Sequence, residues 1–460
     1  MLRLLSYYHC IDYRHSSPVI KTNFFASKRN VLIIGFGKTG RSAHRFLKER
    51  GHRVFVHDDF NESVPDSFDP GQMSDIDIAI KSPSVPLSSH NRHAIIENLL
   101  KDNIPIISAF DVFILYNPTA RVIGITGTNG KSTTTALTYH IMKNAGIDAQ
   151  IGGNIGIPYL DVPESTVYIF EMSSYELESS HHLKFEIGCI LNIYPDHLKF
   201  HGDFVNYVAA KHKLLEHSQI KILSLEDIVT AEKFGYMRDV ITVSTEYTPR
   251  ANVYVFERAM MGGAKSVVLD LTEVPGLIGQ HNYQNIEFAY AICRHYGIPD
   301  YIIAKGIRTF DSLPHRLNMI KKKLGNVLFV NDSKATNPES ASKALATFLG
   351  YKIFWLVGGR SKNADTLSSV GAYLDSVQKI YLFGESADEF TRTFEGIKKT
   401  VDCKTMLSAL RLAYKDAANE EGSVVILLSP MCASFDQFED FEHRGNEFVK
   451  AVEALSNDAI

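Results

Sequence analysis

Short apolar runs punctuate the chain, and each ends on small or polar residues. Val31–Ile34, Val54–Val56, Val122–Ile125, Val167–Phe170 and Ile187–Asn192 read as strands, as do Val327–Val330, Ile353–Val357, Ile380–Phe383 and Val424–Leu428. Asp75–Ile80 alternates acidic and apolar positions and reads as a further strand. Between these runs apolar residues return at helical spacing: Ala43, Phe46 and Leu47; Leu137, Ile141 and Ala145; Ile286, Ala289, Tyr290 and Cys293. Residues 204–212 also read as a helix, carrying Tyr207, Ala210 and Lys211, and 221–278 as further strands and loops. Strands alternating with helices predict an α/β protein with largely parallel sheets. A chain of 460 residues fits about three domains. The expected division is 30–117, a Rossmann-like domain; 118–312, a central phosphate-loop domain with a mostly parallel sheet; and 313–460, a second Rossmann-like domain. Residues 1–29 are expected to be an extension outside these domains. Arg3, Arg14, Lys21, Lys28 and Arg29 face a single acid there, Asp12, a faint likeness to an organelle transit peptide, with an unstructured extension or a misassigned start the favoured reading.

Composition narrows the class of function. Hydrophobic residues make up 45% and charged residues 22%, as in an ordinary soluble globular protein. A net charge of −4 offers no broad surface for nucleic acid or membrane. No apolar run reaches the roughly 18 residues of a membrane span. Cysteines at 10, 189, 293, 403 and 432 are scattered without a CxxC pair, which fits a reducing, cytoplasmic setting and neither a disulfide framework nor a zinc site.

The chemistry starts at Arg121–Thr135, RVIGITGTNGKSTTT. A strand runs into a turn with Gly127 and Gly130, then a helix opens on Lys131 and Ser132. Turn N–H groups and the helix N-terminus face an anion, the lysine adds positive charge, and the serine hydroxyl is a Mg²⁺ ligand. Ile125 stands where the strict eight-residue pattern has glycine, so this is a variant phosphate loop. Gly35-Phe36-Gly37-Lys38-Thr39-Gly40 after the first strand, with Asp58 about 20 residues on, matches a dinucleotide fingerprint. The motif establishes a diphosphate seat and an acid for a sugar or base, and no particular nucleotide. Glu171 ends a strand where metal ligands gather in open α/β sheets. His197 fits either a metal ligand or an ordinary loop histidine. Asn282 and Asn285, one helical turn apart, fit either a nucleotide contact or helix capping. In the last third, Asn331–Asn337, Gly358–Lys362 and Ser429–Phe438 each lie just past a strand end and together mark a site.

As a set, GTNGKST, Glu171, Asp196-His197, HNxxN at 281–285 and PHR at 314–316 resemble the Mur ligases, ATP-dependent amino-acid ligases of peptidoglycan precursor synthesis. NDSKATN at 331–337, SPMCASFDQF at 429–438 and the following Phe441, Arg444, Gly445 and Asn446 are similar to the D-glutamate-adding branch. The resemblance runs from about Val31 to near the C-terminus. It implies that the first domain holds a uridine-diphosphate substrate, UDP-N-acetylmuramoyl-L-alanine, through Lys38, Thr39, Asp58, Asp59 and Ser84, with Asn154 on its sugar-linked part. Ser84 stands where the family motif has glycine. It implies that Gly127, Thr128, Asn129, Gly130, Lys131, Ser132 and Thr133 bind ATP phosphates, and that Asn282, Arg316 and Asp332 complete the ATP site. Two Mg²⁺ ions would fall to Ser132, Glu171, His197 and Lys211, the last carbamylated, with Lys131, Glu171, His197 and Lys211 catalytic. Lys334, Thr336, Lys362, Ser434, Phe435 and Phe441 would shape a D-glutamate pocket. The expected protein is a monomer without nucleic-acid partners.

Overall fold

The computed structural model describes residues 20–21, 23–61, 63–86, 93–262, 266–274, 276–277, 279–322, 324–361 and 366–455, the side chain of His281 excepted. They form two compact units, one reaching to Asp270 and including Gln284–Ile307, the other made of Leu271–Tyr283 and the described chain from Arg308 onward.

The first unit contains two sheets. β1 (Asn30–Ile34), β2 (Arg53–His57), β3 (Ile78–Lys81) and β4 (Ile106–Ile107) make a parallel sheet in the order β2-β1-β3-β4. The second is built from β5 (Arg121–Thr126), β6 (Ala149–Gly153), β7 (Val167–Glu171), β8 (Phe185–Ile190), β9 (Ser218–Ser224), β10 (Val240–Ser244), β11 (Val253–Phe256), β12 (Ala259–Met261) and β13 (Val267–Asp270). Its order is β13-β12-β11-β10-β9-β8-β5-β7-β6. Only the β11–β12 and β12–β13 pairings are antiparallel, so the 221–278 stretch supplies both the last parallel strands and a meander at the edge. Between β7 and β8 the chain crosses over β5. The end of β5 is therefore a topological switch point, the place where open α/β sheets hold ligands. Val122, Ile123 and Ile125 are fully buried, as a central parallel strand requires. Gly124 lets the sheet pass under Phe185, whose ring would lie 2.8 Å from an added Cβ.

Seven helices of this unit matter for the site: α1 (Lys38–Glu49), α2 (Ala94–Lys101), α3 (Ala109–Tyr116), α4 (Lys131–Asn144), α5 (Ser174–Ser179), α6 (Leu198–His201) and α7 (Phe204–Glu216). α3 is buried almost all round. Phe110 stacks on Phe185 at 5.3 Å and Phe113 meets Phe170 edge-on at 5.0 Å, so the helix that ends the first expected domain packs on the sheet of the second. Asp111 reinforces the seam by accepting the His181 and His182 N–H groups.

The second unit holds β14 (Asn318–Met319), β15 (Val327–Asn331), β16 (Lys352–Gly358), β17 (Val377–Phe383), β18 (Thr400–Asp402) and β19 (Val424–Met431). The order is β14-β15-β19-β16-β17-β18, parallel except for the β14–β15 pair. β19 is buried throughout and runs through Pro430 to Met431, three residues beyond the expected Leu428.

Two sequence expectations change. The alternation at 75–80 is not one strand: Pro70–Asp75 forms a 3₁₀ turn, with Asp69 accepting the Gly71 N–H, and β3 begins at Ile78. Part of the expected extension is built into the fold. Phe25 is buried, stacked on Tyr116 at 5.4 Å and edge-on to His52 at 5.4 Å. Residues 1–19 lie outside the described residues.

Candidate active site

The phosphate loop hangs between β5 and α4. Gly130 caps α4 in the left-handed region at φ 87°. The loop is pinned from β8's side: Thr128 N donates to Asn192 O, Asn129 N donates to Asn192 Oδ1, and Thr128 Oγ1 lies 2.9 Å from the Tyr207 hydroxyl. Lys131 opens α4. Its ammonium folds back on the loop, donating to Gly127 O at 2.9 Å and Thr128 O at 3.0 Å. Those two carbonyls hold the ammonium against the loop. Ser132 is buried one residue on.

Glu171 ends β7, beside β5, and is 2% exposed. Its Oε1 accepts from Asn154 Nδ2 at 2.8 Å, while Oε2 is buried with no hydrogen-bond partner among the described residues. A carboxylate oxygen in that position lacks a cation or donor. Lys211, on α7, is 1% exposed, with its amine 3.2 Å from Thr126 Oγ1 and 2.9 Å from Gly127 O. Burial, then the charge of Lys131, pushes that amine well below the ordinary lysine range, while Asp196 and Glu171 oppose the shift. Burial thus favours the uncharged form of an amine in reach of the phosphate loop.

His197 adopts φ 54° as it caps α6, near Asp196 Oδ2 at 3.5 Å, its ring 4.9 Å from Tyr175. His201, four residues on, escaped the sequence reading. It is buried, 3.0 Å from Ser174 Oγ, with Nδ1 unpartnered among the described residues. Burial, then the nearby His197, pulls it down to about 4, so it is a neutral imidazole. The i, i+4 spacing of the two histidines was the available signal. A divalent cation fits the donor set on two counts. Glu171 presents an orphaned buried oxygen, and Ser132, the His197 imidazole and the Lys211 amine are oxygen and nitrogen donors.

Of the two asparagines left open, Asn285 is a brace. Its Oδ1 accepts from Thr134 Oγ1 at 3.1 Å and would lie 2.3 Å from a Cβ on Gly130. Asn282 is buried near the start of the same helix (His281–His295).

On the first sheet, Lys38 is exposed and donates to Gly156 O at 2.6 Å, and Thr39 follows it into α1. Asp58 is already engaged: Oδ2 accepts Phe36 N at 2.5 Å and Oδ1 accepts Phe60 N at 2.9 Å, and the first of these bonds draws its carboxyl below the usual range. It shapes the glycine turn more directly than it offers itself to a ligand. Asp59 and Ser84 are exposed, as is Asn154 apart from its bond to Glu171.

In the second unit, Asp332 is buried, accepting from Ser429 Oγ at 2.8 Å and Leu317 N at 3.2 Å. Arg316 lies close enough for its charge to be felt there, but burial dominates and pushes the carboxyl up to about 7. Lys334 sits over the Phe441 ring at 3.7 Å. Thr336 follows, Ser434 is buried and Phe435 is 63% exposed. Lys362 lies outside the described residues. Arg444 had no role in the sequence reading beyond its motif. It is fully buried and donates to Ser333 Oγ, Ser333 O, Cys432 O and Gly358 O, tying the ends of β15, β16 and β19 together. The three strand-end motifs therefore form one cluster, with a buried cation beneath it.

A phosphate loop at a switch point, a buried strand-end carboxylate and a buried amine define a phosphate-loop nucleotide enzyme. The Mur ligase middle domain matches residues 125–293, and the glutamate ligase domain of Mur ligases matches residues 315–431. UDP-N-acetylmuramoylalanine--D-glutamate ligase of Wolbachia pipientis wMel is 33% identical over 93% of this chain and 97% of its own. The enzyme of that name from Chelativorans sp. (strain BNC1) is 37% identical over 93% and 96%. Among solved structures, the UDP-N-acetylmuramate-alanine ligase of Thermotoga maritima shares the fold at TM-score 0.60 and 17% identity, over 93% of this chain and 99% of that one. The chain belongs to the Mur ligase family.

Proposed function

We propose that this chain is the ATP-dependent ligase that joins D-glutamate to UDP-N-acetylmuramoyl-L-alanine in peptidoglycan precursor synthesis. The relatives above carry that activity in their names over nearly their whole length. The observation that carries the chemistry is the orphaned, buried Glu171 carboxylate on the strand next to the phosphate loop.

The uridine nucleotide falls to residues 30–117, ATP to 118–312 and D-glutamate to 313–460, with substrate, ATP and amino acid all drawn from the cytoplasm. A carboxylate is a poor acyl donor because its leaving group is oxide. An oxygen of the alanyl carboxylate attacks the γ-phosphorus of ATP, and ADP leaves with the bond electrons. The amine of D-glutamate attacks the acyl phosphate, loses a proton, and inorganic phosphate departs. Lys131 exchanges its bonds to Gly127 O and Thr128 O for phosphate oxygens when the nucleotide arrives. Ser132, Glu171, His197 and Lys211 would hold Mg²⁺, which neutralises phosphate charge when bound. Lys211 takes part as a carbamate. Its amine, in the uncharged form that burial favours, adds to carbon dioxide and loses a proton, giving a carbamate anion whose oxygens suit a hard metal. Arg444 lends a fixed positive potential beneath the D-glutamate pocket of Lys334, Thr336, Lys362, Ser434, Phe435 and Phe441.

Phosphate release from ATP, measured with UDP-N-acetylmuramoyl-L-alanine against a panel of amino acids, tests the reading. Release is expected only when D-glutamate is present. Equal release with other amino acids, or without the uridine substrate, overturns it.

A further inference from the structure

Beside the first sheet lies a side-chain cluster that phosphoryl transfer does not use. His57 ends β2, Asp59 follows two residues later, and His93 is the N-cap of α2. His57 Nε2 is 3.1 Å from Asp59 Oδ1, and His93 Nε2 is 3.1 Å from Asp59 Oδ2. Donor atoms of all three lie within 4.8 Å of one another. In a tetrahedral zinc site with bonds of about 2.0–2.1 Å, neighbouring donors sit about 3.3 Å apart, so small side-chain shifts close this set around one ion.

The arrangement is held from outside the cluster. Asp58 accepts Phe36 N and Phe60 N, which fixes the turn after β2 and leaves Asp59 aimed at the two imidazoles. The rings of His57 and His93 stand 5.5 Å apart at 46°. Side-chain exposures of 28%, 47% and 35% leave an open face for a water ligand. Two imidazoles with one carboxylate favour zinc-class ions over Mg²⁺, which prefers an all-oxygen set.

We propose that His57, Asp59 and His93 form a binding site for a divalent transition ion of the Zn²⁺ class. Each imidazole coordinates through Nε2 and keeps its one remaining proton on Nδ1. For His93 this gives up the bond Nδ1 now accepts from Ile95 N at 3.3 Å, so the ion loosens the cap of α2 as it bridges that helix to β2. The site stands whether or not Asp59 also meets a nucleotide.

The probe is Co²⁺, titrated into the full chain and followed by its visible d–d absorption. One saturable equivalent is expected, bleached by Zn²⁺ in competition. Losing even an outer-shell partner of a metal site costs about 10–100-fold in affinity. His57→Gln and His93→Gln, each checked for unchanged circular dichroism, should therefore weaken binding at least that much. His197→Gln should leave the absorption in place, which separates this site from the phosphate-loop site. The proposal is overturned if no saturable absorption forms. It is equally overturned if the absorption survives both glutamine variants, or disappears with His197→Gln.

Discussion

Gly130→Ala tests how tightly the phosphate loop is braced. Gly130 sits at φ 87°, a conformation that costs an alanine about 1–2 kcal/mol. The new Cβ would also lie 2.3 Å from Asn285 Oδ1 and 3.1 Å from Leu191 Cδ1. The Asn285 side chain, only 4% exposed, must move away and lose its bond from Thr134 Oγ1. Displacing a buried hydrogen-bonded carboxamide costs about 1–2 kcal/mol more. The variant should thus be about 2–4 kcal/mol less stable than wild type in urea unfolding followed by a probe in the first unit. The structure also predicts coupling. Asn285→Ala removes the obstructing atom, so its cost should be about 1–2 kcal/mol smaller in the Gly130→Ala background than in wild type. A loss below about 1 kcal/mol for Gly130→Ala, or full additivity in the double variant, would refute the brace.

Lys211→Ala should lower turnover about 10²–10³-fold, as losing one charge-stabilising group does, and added short carboxylic acids should partly restore it by standing in for the carbamate; full activity without them ends the carbamate idea. Asp332→Asn should flatten a pH dependence of stability. Burial raises this carboxyl from 3.8 to about 7, so the folded chain keeps a proton that the unfolded chain has lost. Its contribution is complete below pH 4 and is lost as pH rises through 7, a change of about 4 kcal/mol. The variant should gain on wild type between pH 4.5 and 8.5 in chemical unfolding of the second unit, and an equal difference at both pH values would refute the assignment.

Short-range patterns carried much of this protein. Apolar runs of strand length, each followed by a helical period, announce parallel sheets because both faces of such a strand are covered. The lysine and serine after Gly130 announce an anion site because a helix N-terminus offers unpaired N–H groups at that point. These are properties of neighbouring residues, and a linear text contains them. Burial and partnership are not. Lys211 and Lys38 are the same residue type on helices, yet Lys211 is buried against Gly127, which lowers its pKa, whereas Lys38 stays exposed. Asn285 became a brace only because β5 and a helix that starts 155 residues after the strand ends, at His281 against Thr126, meet at the phosphate loop. Phe25 became core only because Tyr116 and His52 lie beside it. Arg444, which spans three strand ends, and the meeting of His57 and Asp59 with His93 depend in the same way on which distant strands and helices the fold sets side by side. Local conformation follows from local sequence; desolvation, hydrogen-bond partners and convergent donors follow from contacts between distant segments, and only the tertiary structure decides those.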